Sequence, residues 1–196
     1  MMQVVNERKV ILASTSPRRR ELLQRAGLTF SVEAPGVDED MSQRVSPQQL
    51  VKNLALYKAD AVAARHPDAI VIAADTVVAF GNARWSKPVS NKEARMMLRA
   101  LSGRSHDVWT GFAILDPKRG KKIIRAIKTR LTIRKLSSGE IERYIATGEP
   151  LDGAGGYKMQ GMGGFILQRI VGDYNNVLGL PLGAVLLELK KLGIRA

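Results

Sequence analysis

The chain has 196 residues, 45% of them apolar, enough to bury the core of one ordinary domain, which excludes a disordered or low-complexity protein. It has no cysteine and only two histidines, His66 and His106, which excludes disulfides, thiolate metal sites, a cysteine nucleophile and any multi-histidine metal centre. A formal net charge of +13, spread along the chain with a denser stretch from Lys118 to Lys135, points to polyanionic substrates or partners.

Short apolar strands alternate with amphipathic helices, with no internal repeat and no linker. Val10 to Ala13 reads as a buried strand and is far too short for a signal or membrane segment, so the expectation is a soluble, cytoplasmic protein. Ser16 and Pro17 then give the N-cap and first position of a helix with Leu22, Leu23 and Ala26 on its apolar face, ended by Gly27. Phe30 to Ala34 reads as a strand. Ser46-Pro47 opens a second helix with Leu50, Leu54, Tyr57, Ala61 and Ala64 at helical spacing. Ala69 to Phe80 is a long β-type apolar run closed by Gly81-Asn82. Asn91 is expected to cap a third helix running through Leu101. Val108 to Leu115 and Ile123 to Ile133 read as an antiparallel pair joined by the Asp116–Gly120 turn. Ser137 to Glu140 forms a capping box for a helix ending near Gly148. The Gly-rich DGAGGYKMQGMGG segment follows, then a strand from Phe165 to Ile170, and Pro181 starts a closing amphipathic helix. Together these predict an α/β fold over residues 1–196 as a single domain, with a mixed, partly antiparallel sheet flanked by helices.

Three places carry polar groups where chemistry is expected. The Ser14-Thr15-Ser16-Pro17-Arg18-Arg19-Arg20 turn joins a strand to a helix N-terminus, where free backbone N–H groups and guanidinium forks suit a phosphate chain. The same turn also reads as a capped helix with solvated arginines. Neither a P-loop nor a dinucleotide fingerprint is present. Asp75, followed by Thr76, interrupts an apolar β run, and a buried carboxylate is costly unless it is paired or metal-bound. Asp38, Glu39 and Asp40 form an acidic loop that either holds a hard cation or is simply solvated. Lys58 lies near the apolar face of the second helix, and Lys87 precedes Pro88 in a loop. Gln160, inside the Gly-rich stretch, offers an amide donor and acceptor to a base edge. His66 and His106 read as surface or structural residues.

The segments ILASTSPRRRELL (11–23), VDED (37–40), LALYKA (54–59), AADTVV (73–78), SKP (86–88), SGRSH (102–106), GEPLDGAGGYKMQG (148–161) and GDYNNVLGLPL (172–182) resemble, in order, those of the Maf (septum-formation) family. The resemblance implies an architecture like that of the inosine-triphosphate pyrophosphatases: an elongated mixed sheet and two lobes with a central cleft. It implies hydrolysis of nucleoside triphosphates between the α and β phosphates, with Mg²⁺ or Mn²⁺ required. Carried over, Ser14, Arg18 and Arg19 would grip the phosphates. Asp38 or Glu39, with Asp75, would hold the metal. Lys58 and Lys87 would neutralise developing charge, and Asp75 would activate water. Arg18, Thr76 and Gln160 match the residues of the family branch acting on dTTP and UTP, although AGGYKMQG stands where that branch usually has AGAYGIQG, so a broader or modified-nucleotide specificity is open.

Two rivals belong to other classes. The charge from Lys118 to Lys135 suits a nucleic-acid-binding module, but an aromatic content of 5% and no stacking platform argue against a nucleic-acid partner. A non-catalytic regulator of septum formation or cell division is implied by the family's name. Members of the family are often dimers, which makes a homodimer the expected assembly.

Overall fold

The computed structural model of the chain describes residues 8–38 and 40–195. Strand β1 (Val10–Ala13) is buried at every position. It feeds α1 (Pro17–Arg25), whose first residue is the proline that lacks the N–H a helix start cannot use. Leu22 and Leu23 are its buried residues, and Gly27 takes the left-handed conformation just past its end, with φ 79°. Strand β2 (Ser31–Glu33) follows, then α2 (Pro47–Ala63), where Ser46 Oγ accepts from the Gln49 N–H at 3.2 Å.

Strand β3 (Ile70–Phe80) turns at Gly81 into β4 (Ala83–Trp85), a short return strand that the sequence pattern had not indicated. Helix α3 (Asn91–Leu101) is capped one residue earlier than expected. Ser90, and not Asn91, accepts from the Glu93 N–H, at 3.2 Å, so Asn91 becomes the first helical residue. Strands β5 (Ser105–Asp116) and β6 (Lys121–Ile133) are neighbours joined by the 3₁₀ turn Pro117–Arg119, and so short a connection allows only antiparallel pairing. Both begin before the apolar runs that flagged them; at the start of β5, Ser105 Oγ lies 2.8 Å from Thr132 Oγ1 of β6.

The full capping box of Ser137 and Glu140 starts α4 (Ser138–Ala146). The Gly-rich segment then folds as three 3₁₀ turns, Glu149–Asp152, Ala154–Gly156 and Met162–Ile166, before β7 (Leu167–Val171). A short α5 (Tyr174–Val177), absent from the sequence reading, precedes α6 (Leu182–Lys191), with Pro181 at its N-cap.

The described strands form one mixed sheet in the order β2-β1-β3-β5-β6-β7, with β4 added to β3. The β1 pairings with β2 and β3 are parallel, whereas β3 with β4 and β6 with β7 are antiparallel. The chain divides into two compact units. The first takes the chain up to Asp75, Thr110–Ile127 and the part from Gly179 onward; the second takes Thr76–Trp109 and Lys128–Leu178. In the first, α2 lies on the sheet through Ala55, Ala59, Val62 and Ala63, against Ile11, Ala13, Val71, Ala73, Ala113 and Leu115. Gly111 makes that approach possible, since a Cβ there would sit 2.2 Å from the Val51 carbonyl oxygen. In the second, α3 packs its buried Ala94, Met97 and Leu98 against α4 and the Gly-rich turns. Among the described residues no helix is long and apolar enough to cross a membrane.

Candidate active site

Asp75 lies on the central strand β3 and is only 5% exposed. It shares a sheet face with Val71 and Ala73, because side chains alternate along a strand. That face is the one α2 covers. The buried stripe of α2 runs through Leu50, Val51, Leu54, Ala55, Lys58, Ala59 and Val62, so Lys58 occupies a core position with Leu54 and Val62 one turn to either side. This corrects the expected apolar face: Tyr57 is 52% exposed and Ala64 lies outside, whereas Lys58 points in. The physical reason is a partner. Lys58 Nζ donates to Asp75 Oδ1 at 2.5 Å, and both side chains are less than a tenth exposed. Each charge makes the other's burial tolerable, and neither residue type would be placed there alone.

Ser14 stands beyond the end of β1. The β1–β3 register pairs Leu12 with Ile72, so continuing it sets Ser14, at the carboxyl end of β1, opposite Ala74 and next to Asp75, midway along β3. Ligands of open α/β sheets bind at such ends. Ser14 is buried, and its Oγ accepts from the Ser16 N–H at 3.2 Å and from Arg19 Nη1 at 3.3 Å. Ser16 was expected to cap α1 with its own side chain; it makes no such bond, and its backbone uses the Ser14 hydroxyl instead. Arg19 is fixed at its other edge, where Nε donates to the Gly179 carbonyl at 2.8 Å. Arg18 is half-buried on the same first turn. The turn therefore holds an ordered hydroxyl and two guanidinium groups at a helix start.

The acidic loop is less built. Asp38 and Asp40 are exposed, and Asp40 accepts from Ser42 N at 2.9 Å and Ser42 Oγ at 2.5 Å. Glu39 lies outside the described residues. Among the described residues no three His, Asp or Glu side chains converge as a preformed metal cluster. Both imidazoles are engaged elsewhere: His66 Nε2 lies 2.5 Å from Glu33 Oε2, and His106 Nε2 lies 2.6 Å from Tyr157 Oη. The remaining donors are carboxylate and hydroxyl oxygens, which suit a hard divalent cation completed by substrate oxygens and water.

In the second unit, Lys87 is exposed and its Nζ donates to Asp152 Oδ1 at 2.7 Å. Thr76 and Gln160 are both half-buried, the first on β3 and the second in the Gly-rich segment. That segment is clamped from several sides. Tyr144 Oη accepts from Lys158 N at 2.9 Å, Glu149 carboxylate oxygens accept from Met162 N at 3.0 Å and Gly163 N at 3.2 Å, and Gly155 N donates to Ser86 O at 3.1 Å. Burial pushes the Tyr144 phenol up to about 12 and the Tyr157 phenol higher still, and it pushes His106 down to about 4. All three groups are thus neutral hydrogen-bonding props of the segment at neutral pH. The sequence reading passed over Glu149, Asp152, Tyr144 and Tyr157. Their one signal was position within the GEPLDGAGGYKMQG segment and just before it, since the partners lie on the Gly-rich chain itself.

Residues 9–192 match the family model described as Maf-like protein. Among curated relatives, a dTTP/UTP pyrophosphatase of Geobacillus sp. (strain WCH70) is 46% identical over 186 residues, covering 95% of this chain and 99% of that protein. A dTTP/UTP pyrophosphatase of Desulforamulus reducens is 42% identical over 187 residues, covering 95% and 98%. One from Moorella thermoacetica is 48% identical over 174 residues, covering 89% and 90%. Among solved structures, that of the Staphylococcus aureus Ham1 protein superposes with a TM-score of 0.44 at 14% identity, covering 64% of this chain and 72% of that one.

Proposed function

The chain belongs to the Maf-like protein family, and from that premise we propose that it is a nucleoside-triphosphate pyrophosphatase acting on dTTP and UTP. It cleaves between the α and β phosphates, releasing nucleoside monophosphate and pyrophosphate. The observation that carries the reading is the buried Lys58–Asp75 pair midway along β3, next to the β1 end that presents Ser14 and Arg19.

Ser14, Arg18 and Arg19 bind phosphate oxygens, the hydroxyl and the guanidinium forks supplying donors that are already oriented. Asp75 orients a water and takes its proton as oxygen adds to phosphorus and the bridging P–O bond breaks. Lys58 holds the Asp75 carboxylate in place and ionised. Lys87 neutralises charge that gathers on the departing pyrophosphate. Thr76 and Gln160 read the base, the Gln160 amide pairing its donor and acceptor with the edge of uracil or thymine. Asp75, with Asp38 and Glu39, would hold a Mg²⁺ or Mn²⁺ ion, which when bound supplies further charge neutralisation at the phosphate oxygens.

The test is a panel of canonical and modified nucleoside triphosphates with Mg²⁺ or Mn²⁺, reading pyrophosphate against orthophosphate. Pyrophosphate from dTTP and UTP in preference to ATP and GTP is expected. Orthophosphate alone would mean a different bond and a different enzyme class, and equal turnover of purines would remove the assigned base-reading role of Thr76 and Gln160.

A further inference from the structure

Asp152 has no part in the chemistry above, yet two ammonium groups converge on it. Its Oδ1 accepts from Lys87 Nζ at 2.7 Å, and its Oδ2 lies 3.3 Å from Lys158 Nζ. The backbone enforces this meeting. Gly153 leaves no room for a side chain, since a Cβ there would sit 1.8 Å from the Tyr157 carbonyl oxygen, so the chain folds straight back on itself and carries Lys158 beside Asp152. The Tyr144 hydroxyl fixes the Lys158 backbone, and the Gly155–Ser86 hydrogen bond ties the Lys87 loop to the same segment.

The two pairs differ in exposure. Lys87 and Asp152 have side chains 56% and 50% exposed, whereas Lys158 is 26% exposed. An exposed ion pair contributes little, so a polyphosphate can draw Lys87 away from Asp152. That transfer removes one of the two ammonium groups that converge on Asp152. Lys158 already sits on the other carboxylate oxygen.

We propose that Lys158 is the standing counter-ion of Asp152, a positioning residue that keeps this carboxylate neutralised when Lys87 leaves it for the phosphates. The inference rests on Lys87 engaging the triphosphate, as in the proposed function.

A double-mutant cycle on the full chain tests it, with Lys158→Gln, Asp152→Asn and the combination assayed on dTTP. Lys158→Gln should raise KM about two- to fivefold, the range expected of an exposed ion pair, with kcat little changed. Lys158→Arg should restore the parent KM. In the Asp152→Asn background the Lys158→Gln effect should vanish, because no carboxylate remains to be neutralised. An equal rise in KM in both backgrounds would mean that Lys158 meets the substrate directly and would overturn the proposal, as would an unchanged KM or a loss confined to kcat. Absence of pyrophosphate from the parent chain would sink the functional reading itself, an outcome distinct from an active parent with an additive cycle.

Discussion

Replacing Asp75 by Asn separates what the buried pair does for the fold from what it does for chemistry. The substitution leaves Lys58 in a core position with its ammonium less than a tenth exposed and its anionic partner gone. Breaking a buried pair by removing one member costs about 3–5 kcal/mol, and the amide oxygen that Asn keeps near Lys58 argues for the lower end. In a chain of this length about 3 kcal/mol corresponds to a fall of roughly 6–12 °C in Tm. Turnover should drop further than stability explains, by about 10²–10⁴-fold, the usual contribution of a positioned base. The double variant Lys58→Met, Asp75→Leu removes both charges and should recover most of the lost Tm, because apolar replacement of a buried pair is often neutral. It should stay inactive. Thermal melts and dTTP turnover at a temperature where all variants are folded make the measurement. Turnover of the single variant within about threefold of the parent would refute the catalytic role. Equal Tm losses in the single and double variants would refute the argument that the two charges are buried as a pair.

Three further outcomes follow from particular contacts. His106 is held near pKa 4 by burial, against an ordinary value near 6.5, so the unfolded chain takes up its proton first as pH falls. Its contribution is full above pH about 6.5 and is lost between there and about 4, up to roughly 3 kcal/mol. Urea midpoints of His106→Gln should therefore lose part of the acid slope seen in the parent, and identical slopes would contradict the assignment. Gly111→Ala would drive a Cβ into the Val51 carbonyl and should destabilise by about 1–3 kcal/mol. Gly139→Ala, whose Cβ would meet nothing closer than an Arg143 nitrogen at 3.6 Å in a helix, should be neutral or stabilising; equal behaviour of the two would mean that α2 does not rest on the β5 backbone. Glu149→Gln weakens two charge-assisted bonds, so the Met162 and Gly163 amides should exchange hydrogen faster, and unchanged exchange would rule out the clamp.

Most elements were legible because their signals are local. The proline after Ser16, the Ser137–Glu140 box and the apolar run from Ala69 to Phe80 each specify their own structure over a few residues. The misses have two causes: a partner distant in sequence overrode a local preference, or a short local feature outweighed the pattern around it. Tyr57 is the more apolar choice for the inner face of α2, but Asp75 rewards Lys58 for going in. Asn91 is a good cap, but Ser90 sits where its hydroxyl reaches Glu93. Strand β4 is too short for any period to register and exists because Gly81 lets β3 turn back. Asp75 was singled out correctly as a polar interruption, yet nothing in the spacing from residue 58 to residue 75 says that the two side chains meet.

That pairing also redistributes the electrostatic labour. If Lys58 stood alone, it would be a cation available to the phosphates; bonded to Asp75 at 2.5 Å, it is already spent on the base. The pair enters the site as a nearly neutral unit. Under the proposed function, neutralising the phosphates falls to the Ser14–Arg19 turn and to Lys87, and each of these is also held by a neighbour. Arg19 is steadied by the Ser14 hydroxyl and the Gly179 carbonyl. Lys87 is held by a carboxylate and can turn to phosphate only if that carboxylate keeps another cation. The two anchors thus impose different requirements: a guanidinium oriented by a hydroxyl and a carbonyl, and an ammonium that must change partners. Lys158, at the junction with Asp152, meets the second requirement and has no counterpart at the first.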